Sequence, residues 1–441
     1  MNVLFIATRA PYGRMHGHKM GMRTYIKALQ ALGHTVVVAA FAVPGDRVEE
    51  EDLGAVTRYL PLPPKRKVAA NLLGRGVFGG LSLNECLYAD AGAGRRIRDI
   101  VREFSIEFVV ADMVRTAAYA DATGLPWMLD HEDLLSERYA AWAGRSSGDE
   151  NILGYLEQTI PAPARPLARA AFRAALGRES KRLSDRELYW TERALASSLR
   201  SMEETERLRA RASRRVFCMP VSVPIPARAA DALDERPAKA IFTGGLTYQP
   251  NLDALRAYVE RIIPEFERQS VEPPILDVVG AAPPALRAGL EHPGIRFLGY
   301  VPSVNDELCK AQVFFAPIVS GTGIKTKVLE AMACGLPLIA LPAGLTGLTG
   351  EHGRDYLRAE DPADFVRQYV RVRDDLDLAR SLGRSGRELA IGAYSIEAAT
   401  RVLGREIEAL RGRPGVSAAR RPGQTAEWPH ERAATAAEGA S

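Results

Sequence analysis

Residues 321–335 read GTGIKTKVLEAMACG and lie between two short apolar runs. Apolar residues recur in this stretch at helical spacing, which predicts a helix from about 323 to 334 with one buried face. The recurring positions are Ile324, Val328, Ala331 and Met332. The flanking runs at 313–316 and 337–341 have the length and composition of buried strands. Strand, helix and strand in this order indicate a parallel sheet.

The start of this predicted helix has the composition of an anion site. Thr322 is a competent N-cap, and the glycines on either side of it let the backbone approach a ligand closely. Free N–H groups and the positive end of the helix dipole favour negative charge, to which Lys325 and Lys327 add. Residues two apart do not share a helix face, so at most one lysine should point at a diphosphate. The alternative is that both lysines are solvated, with Lys327 paired to Glu330.

The alternation of strands and helices extends in both directions from this stretch. It predicts an α/β chain with two Rossmann-like, doubly wound domains that face one another across a cleft. Four prolines mark a linker, and the last residues have little apolar content. The predicted parts are an N-terminal domain over 1–220 with a helical insertion at about 132–192, a linker over 221–237, a second domain over 238–390, a C-terminal helix over 391–411 and a disordered tail over 412–441.

Bulk composition excludes several classes of protein. The chain has 441 residues and a formal net charge of +4, which does not indicate nucleic-acid binding. Its four cysteines are scattered without metal-ligand spacing, which argues against a disulfide framework or a zinc site and fits a reducing cytoplasm. No run approaches the ~18 apolar residues of a membrane span. We expect any membrane contact to be peripheral, at the inner face, through basic residues of the N-terminal half: Arg95, Arg96, Arg165, Arg169 and Arg173.

Two further groups of polar residues follow predicted strands of the N-terminal half. The loop from Pro11 to Gly21 follows the first strand, where ligand clefts of α/β sheets open, and it supplies candidate ligand-binding residues. These are Gly17, His18, Lys19 and Arg23. Asp130, His131 and Asp133 lie at the end of a later strand and are further candidates, with a short helix cap as the alternative for Asp133. His16 and His18 have no apparent third ligand, so no metal site is predicted.

Residues 327–339, KVLEAMACGLPLI, resemble the donor-site motif of family 4 retaining glycosyltransferases, which adopt the GT-B fold. Further similarities occur in order around it, at 242–246 with 250–254, at 297–301, and at 316–317 with 343–347. The resemblance covers most of 238–400 and is loose across the N-terminal half. Within the family, the cluster associated with exopolysaccharide sugar transfer is the nearest match.

The resemblance implies transfer of a sugar from a nucleoside-diphosphate donor to a hydroxyl, with retention of configuration, for polysaccharide or glycoconjugate assembly. It implies no metal and no cofactor beyond the donor. Glu330 would accept hydrogen bonds from the ribose hydroxyls, and Tyr300 and Val301 would lie beside the base. The remaining donor-binding candidates are Gly245, Thr322, Gly323 and Ile324. The domain over 238–390 would bind the nucleotide sugar and the N-terminal domain the acceptor, with the candidates from Gly17 to Arg23 on the acceptor side. The acceptor would be a glycan, a lipid-linked glycan or a small molecule.

Two departures from the family pattern bear on activity. The family's second carboxylate, eight residues before Glu330, is replaced by Thr322, and its diphosphate-binding Arg and Lys are replaced by Gly245 and Pro250. We hypothesise that Lys325 and Lys327 supply the missing positive charge, and count both with His131 and Asp130 as catalytic candidates. The alternatives are a sugar-nucleotide epimerase on the same fold and an inactive sugar-nucleotide-binding protein. The donor base, sugar, acceptor, linkage and oligomeric state are not readable from the sequence.

Overall fold

The chain folds into two compact units in a computed structural model. The structure describes residues 1–13, 17–43, 53–77, 79–143, 165–227, 239–321 and 323–411, without the side chains of 77, 165–173 and 411. Unit 1 contains residues 1–219 together with the chain from Val402 onward, and unit 2 contains Pro220–Arg401. The predicted tail, the prolines at 161 and 163, and Thr322 lie outside the described residues.

Unit 1 is built on a seven-stranded sheet whose neighbouring strands are all parallel. Its strands are β1 (Asn2–Ala7), β2 (Thr35–Phe41), β3 (Val56–Leu60), β4 (Phe108–Asp112), β5 (Trp127–Glu132), β6 (Ala196–Leu199) and β7 (Arg215–Cys218). They lie in the order β3-β2-β1-β4-β5-β6-β7. The continuous apolar runs of the central strands fit a sheet that is covered on both faces.

The helices of unit 1 connect these strands. They are α1 (Gly17–Ala31), α2 (Lys65–Asn71), α3 (Leu83–Tyr88), α4 (Ala91–Glu103), α5 (Val114–Asp121), α6 (Leu135–Ala143), α7 (Arg165–Arg193) and α8 (Met202–Arg209), with a π-helical turn over Leu72–Val77. Helices α6 and α7 occupy the predicted helical insertion, between two adjacent strands. Pro166 does not break α7, because it lies in the first turn, where no backbone N–H is needed.

Unit 2 is built on a six-stranded sheet that is also parallel throughout. Its strands are β8 (Lys239–Thr243), β9 (Ile275–Val279), β10 (Ile295–Gly299), β11 (Val313–Ala316), β12 (Leu338–Ala340) and β13 (Leu357–Arg358). They lie in the order β10-β9-β8-β11-β12-β13. Its helices are α9 (Gln249–Ala257), α10 (Ile263–Arg268), α11 (Pro284–Arg287), α12 (Val304–Cys309), α13 (Thr326–Ala333), α14 (Pro362–Asp374) and α15 (Leu376–Tyr394).

The last helix, α16 (Ile396–Arg411), contributes to both units, since the division falls after Arg401. Its second half belongs to unit 1, where Glu406 forms an ion pair with Arg215 of β7. A side-chain carbon at Gly404 would lie only 3.1 Å from the Leu32 side chain, which shows how closely α16 packs beside the end of α1. The first unit is therefore completed by the end of the chain.

Aromatic side chains organise the core of unit 2. The ring of Phe315 on β11 meets the rings of Phe365 and Tyr369 on α14 edge to face, at centroid distances of 5.0 and 5.6 Å. Tyr258 lies 6.0 Å from the same ring. Such pairs contribute roughly 0.5–1.5 kcal/mol each beyond the area they bury, and so fix α14 against the sheet.

No helix within the described ranges combines the length and apolar content needed to cross a membrane.

Two glycines of α15 provide a matched test of this packing. A side-chain carbon at Gly383 would overlap the Gly335 carbonyl oxygen, whereas nothing lies within 4 Å of one at Gly392. We expect Gly383→Ala to lower the free energy of unfolding by roughly 1–3 kcal/mol through overpacking. Gly392→Ala should raise it by up to ~1 kcal/mol through helix propensity. Urea unfolding followed by circular dichroism measures both, and equal effects would contradict the close approach of α15 to the turn after α13.

Candidate functional site

The carboxyl end of β8 forms a tight turn at the point where the strand order of unit 2 reverses. Ligands of doubly wound sheets bind in such crevices. Gly244 and Gly280 have φ angles of +145° and +137°, which favour glycine. A side-chain carbon at Gly280 would lie 2.6 Å from the Gly244 carbonyl carbon. The turn after β8 is therefore held directly against the end of β9, with its backbone bare of side chains.

Lys327 of α13 reaches this turn. Its ammonium donates a hydrogen bond to Asn251 Oδ1 and lies 4.5 Å from the centroid of the Phe242 ring. The Asn251 amide in turn donates to the Gly245 carbonyl oxygen at 2.8 Å. A side-chain carbon at Gly244 would lie 2.7 Å from Lys327 Nζ. Burial lowers the pKa of Lys327 to about 7, against the opposing attraction of Glu330.

Lys325 has a different task. It occupies the N-cap position of α13, which begins at Thr326, so the predicted helix start near 323 is wrong. The physical reason is local, since Gly321 and Gly323 have φ angles of +108° and +68°, which an α-helix does not accommodate. Lys325 Nζ donates to the carbonyl oxygens of these two glycines, at 3.2 and 2.6 Å. Of the two lysines, Lys327 is the one whose ammonium lies against Gly244 in the turn after β8.

Glu330 lies one helical turn after Lys327 and is partly buried. Burial raises the pKa of its carboxyl group to about 7, while the charge of Lys327 pulls it down. Among the described residues, no side chain or backbone group donates a hydrogen bond to this carboxylate. A desolvated carboxylate with free lone pairs is an acceptor for two hydroxyl groups.

The other predicted donor residues lie on the loops around this edge. Tyr300 follows β10 directly after Gly299, whose φ is +69°, and its side chain is 81% exposed. Val301 beside it is half-buried, as is Ile324. A side-chain carbon at Gly347 would lie 3.5 Å from Ile324, so these two loops touch. Asn251, which connects the turn to Lys327, lies in the similar segment 250–254 but was not predicted as a site residue.

In unit 1, charged side chains meet at the carboxyl ends of β5 and β6. Arg200 forms ion pairs with Asp130 at 2.5 Å and with Glu132 at 3.3 Å. Ser198 donates to Asp130 at 2.9 Å, and the Tyr25 hydroxyl lies 2.7 Å from Ser198 Oγ. Burial raises the pKa of Glu132 to about 7, partly offset by Arg200. Glu132 also has a φ of +67°, a strained backbone that is enriched at functional sites.

A second polar pair lies beside this cluster, at the strand-order reversal between β1 and β4. His18 Nε2 lies 2.9 Å from Asp112 Oδ1, and Thr8 donates to the other carboxylate oxygen through its N–H and its hydroxyl. Burial lowers the pKa of His18, but the attraction of Asp112 outweighs it and raises the pKa to about 8. His18 is therefore a cation at neutral pH. Asp112 carried no sequence motif and was missed.

The other acceptor-side candidates serve the local fold. Helix α1 begins at Gly17, so His18 and Lys19 lie in the helix rather than in the predicted loop to Gly21. Lys19 is buried and donates to the Tyr12 carbonyl oxygen. Arg23 donates to the Pro11 carbonyl oxygen at 3.5 Å. Both tie the chain after β1 to the helix.

His131 points away from the polar cluster. Successive residues of a strand face opposite sides, so His131 lies opposite Asp130. Its Nε2 lies 2.9 Å from Thr191 Oγ1 on α7, and only 2% of the residue is exposed. Burial lowers its pKa to about 3. This position does not support the catalytic role predicted for His131. The polar cluster instead contains Glu132 and Arg200, neither of which was predicted from the sequence as a site residue.

Comparison with known proteins gives a family match for part of the sequence and many solved structures with a similar fold. Residues 237–375 match the family model described as glycosyl transferases group 1. No curated protein sequence gives a significant match. Among solved structures, sucrose-phosphate synthase from Thermosynechococcus elongatus has a TM-score of 0.63 at 16% identity, covering 93% of this chain and 99% of that chain. HepE from Anabaena in complex with UDP has a TM-score of 0.60 at 12% identity, covering 93% and 100%.

A third similar structure is TarM from S. aureus, determined in complex with UDP and α-GlcNAc-glycerol. Its TM-score is 0.59 at 10% identity, covering 93% of this chain and 100% of that chain. Sequence identities this low show a shared fold and nothing further about function. The chain has the two-domain α/β GT-B fold, and its second unit contains the segment that matches the glycosyltransferase model.

The buried position of His131 has a measurable consequence for stability. A histidine whose pKa falls from 6.5 to about 3 on folding stabilises the native state above pH 6.5. That contribution is lost as the pH falls from 6.5 towards 3, because the unfolded chain binds the extra proton. We expect the melting temperature of His131→Gln to fall less steeply than that of the wild type over this range. Differential scanning calorimetry checks this, with the exposed His352→Gln as control; parallel curves for all three proteins would contradict it.

Proposed function

We propose that the chain transfers a sugar from a nucleoside-diphosphate donor to a hydroxyl acceptor, with retention of configuration, in the assembly of a polysaccharide or glycoconjugate. The observation that carries the proposal is the placement of the Lys327 ammonium against the bare turn at Gly244, with the free carboxylate of Glu330 one helical turn away. These residues lie inside the segment that matches the group 1 glycosyltransferase model.

The diphosphate would bind at the turn after β8. A bare backbone turn allows close approach of phosphate oxygens, and a desolvated cation stabilises their charge more strongly than one in water. Lys327 would supply the charge that the usual Arg and Lys provide in the family, from α13 instead of from the chain after β8. The bond from the sugar to the diphosphate breaks as the acceptor oxygen bonds to the sugar, and the proton of the acceptor hydroxyl passes to an oxygen of the departing diphosphate. Stabilising the departing diphosphate is then the main catalytic task.

Recognition of the nucleoside would fall to the neighbouring residues. Glu330 would accept hydrogen bonds from both ribose hydroxyls, and Tyr300 and Val301 would lie beside the base. HepE and TarM were determined with UDP, which makes UDP the first nucleotide to test here. We further propose that no metal is needed, because the Lys327 ammonium would stabilise the negative charge of the leaving group, so turnover should persist in the presence of a chelator.

In unit 1, the cluster of Glu132 and Arg200 with the protonated His18 would bind the acceptor. A carboxylate and two cations offer complementary partners to the hydroxyl groups of a sugar, and the strained backbone at Glu132 fits a binding role. The acceptor domain predicted from the sequence is thereby given specific residues. Glu132 replaces His131 in this proposal.

The replacement of the family's usual residues by Gly245, Pro250 and Thr322 keeps an inactive nucleotide-binding protein as the second candidate. Incubation of the chain with labelled UDP-sugars, with and without glycan and lipid-linked acceptors, separates the readings. Transfer of label to an acceptor supports the proposal. Nucleotide binding by calorimetry without any turnover supports the inactive protein, and conversion of the donor to its epimer without acceptor indicates an epimerase.

Lys327→Ala tests the role of the buried cation. Loss of one group that stabilises the transition state typically lowers kcat by roughly 100- to 1,000-fold, and we expect a loss of that order. Lys310→Ala is the matched control, because this exposed lysine follows α12 directly and pairs with Glu307. Steady-state kinetics with the best donor measures both. Wild-type kinetics for Lys327→Ala would remove the proposed role.

The pH profile of kcat/KM for the donor tests the same pair. Lys327 loses its charge as the pH rises through about 7, and Glu330 gains a proton as the pH falls through about 7, so activity should fall on both sides. Lys327→Arg keeps a cation at all accessible pH values and should flatten the alkaline limb alone. Glu330→Gln should weaken binding of UDP and flatten the acid limb. An unchanged alkaline limb in Lys327→Arg would assign that limb to another group.

A further inference from the structure

An exposed apolar stripe runs along α2 and the π-helical turn that continues it. Its apolar residues are Ala69, Ala70 and Leu73, and the exposed Arg66 lies on the same face one helical turn before them. Leu73 is 66% exposed, and α3 adds Leu83 and Leu87, which are 41% and 44% exposed and one turn apart. A side-chain carbon at Gly76 would lie 3.9 Å from Leu83, so the two elements touch. We name these residues, together with Lys65, the α2–α3 surface.

The backbone beneath this surface is firmly held. The Asn71 side-chain amide donates to the carbonyl oxygens of Cys86 and Ala89, at 3.1 and 2.9 Å, and thereby joins α2 to the end of α3. Arg182 of α7 donates to the carbonyl oxygens of Gly76 and Leu81. The leucines therefore lie on backbone that side-chain hydrogen bonds hold in place, and their exposure does not result from a loose loop.

Both acidic residues of this region are paired with basic side chains. Glu85 is bound by Arg186 at 2.7 Å and by the Trp190 indole N–H at 2.8 Å, and Asp90 pairs with Lys67 at 2.9 Å. These are the two acidic residues among positions 61–90, which also contain four basic residues. The four are Lys65, Arg66, Lys67 and Arg75. The two acidic residues thus have basic partners of their own, Arg186 and Lys67. Lys65, Arg66 and Arg75 are positive charges near the exposed leucines that these acidic residues do not pair with.

We propose that the α2–α3 surface docks on an anionic lipid bilayer. Leu73, Leu83 and Leu87 would enter the boundary between headgroups and acyl chains, while Lys65 and Arg66 would contact lipid phosphates. Basic residues bordering exposed apolar ones suit this surface, because the bilayer accepts both at once. A second copy of the chain would bring the same cations together in a symmetric contact. The location differs from the arginines of α4 and α7 that the sequence suggested, and the proposal does not rest on the activity proposed above.

Vesicle flotation with the full chain tests the proposal. We expect binding to vesicles of equal parts phosphatidylglycerol and phosphatidylcholine, and weaker binding to phosphatidylcholine alone. The double variant Leu73→Ser, Leu83→Ser should bind the anionic vesicles roughly ten-fold more weakly. Arg66→Glu should lose roughly five-fold or more on anionic vesicles and little on neutral ones. Melting temperatures should remain at the wild-type value, since these side chains are exposed.

Two controls separate this surface from its alternatives. Leu376→Ser removes a comparably exposed leucine of unit 2 and should leave binding unchanged. Arg95→Glu on α4 should lose less than Arg66→Glu. The proposal is overturned if wild-type protein does not float with anionic vesicles, if Arg95→Glu alone abolishes flotation, or if light scattering shows a dimer that the double leucine variant converts to monomer without any lipid binding.

Discussion

A buried cation placed against a bare backbone turn is the constraint on which the second unit's site depends. Lys327 can approach Gly244 only because that turn has no side chain, and the turn is fixed because Gly280 admits the Gly244 backbone. Asn251 and the Phe242 ring replace part of the water that the ammonium loses. A desolvated charge of this kind is expensive to fold around unless an anion later occupies the site. The local structure thus carries a charge that is most useful when a ligand is bound.

The first unit concentrates charge in a different manner. Arg200 lies between Asp130 and Glu132, while His18 is held by Asp112 one strand away. Opposite charges favour the ionised forms of Asp112 and His18 despite burial. In Asp130 and Glu132 burial raises the pKa, to about 7 for Glu132, against the attraction of Arg200. In each unit, polar groups therefore lie at the carboxyl ends of the strands, and a ligand bound beside them would change their protonation.

Strand and helix alternation was sufficient to predict two doubly wound units, since apolar runs and helical spacing are properties of the local sequence. The element types in the segment from 313 to 341 were also predicted correctly. The start of α13 was not, because two glycines with positive φ angles keep the chain before Thr326 out of the α-helical conformation. Side-chain partners were harder to predict. His131 was a candidate and Glu132 was not, although strand alternation places His131 on the face opposite the cluster. Asp112, Asn251 and Arg200 acquire their roles only through neighbours distant in sequence.

Helix α16 gives the chain an unusual order of assembly. The pairing of Arg215 with Glu406 joins the seventh strand of the first sheet to residues made almost two hundred positions later. During synthesis, domains generally fold from the amino terminus as they emerge. Here the part of α16 that belongs to the first unit is synthesised after the whole second unit, so the first sheet lacks this helix until then. Translation therefore delivers the second unit as the first complete body, and the amino-terminal one is finished by the closing helix.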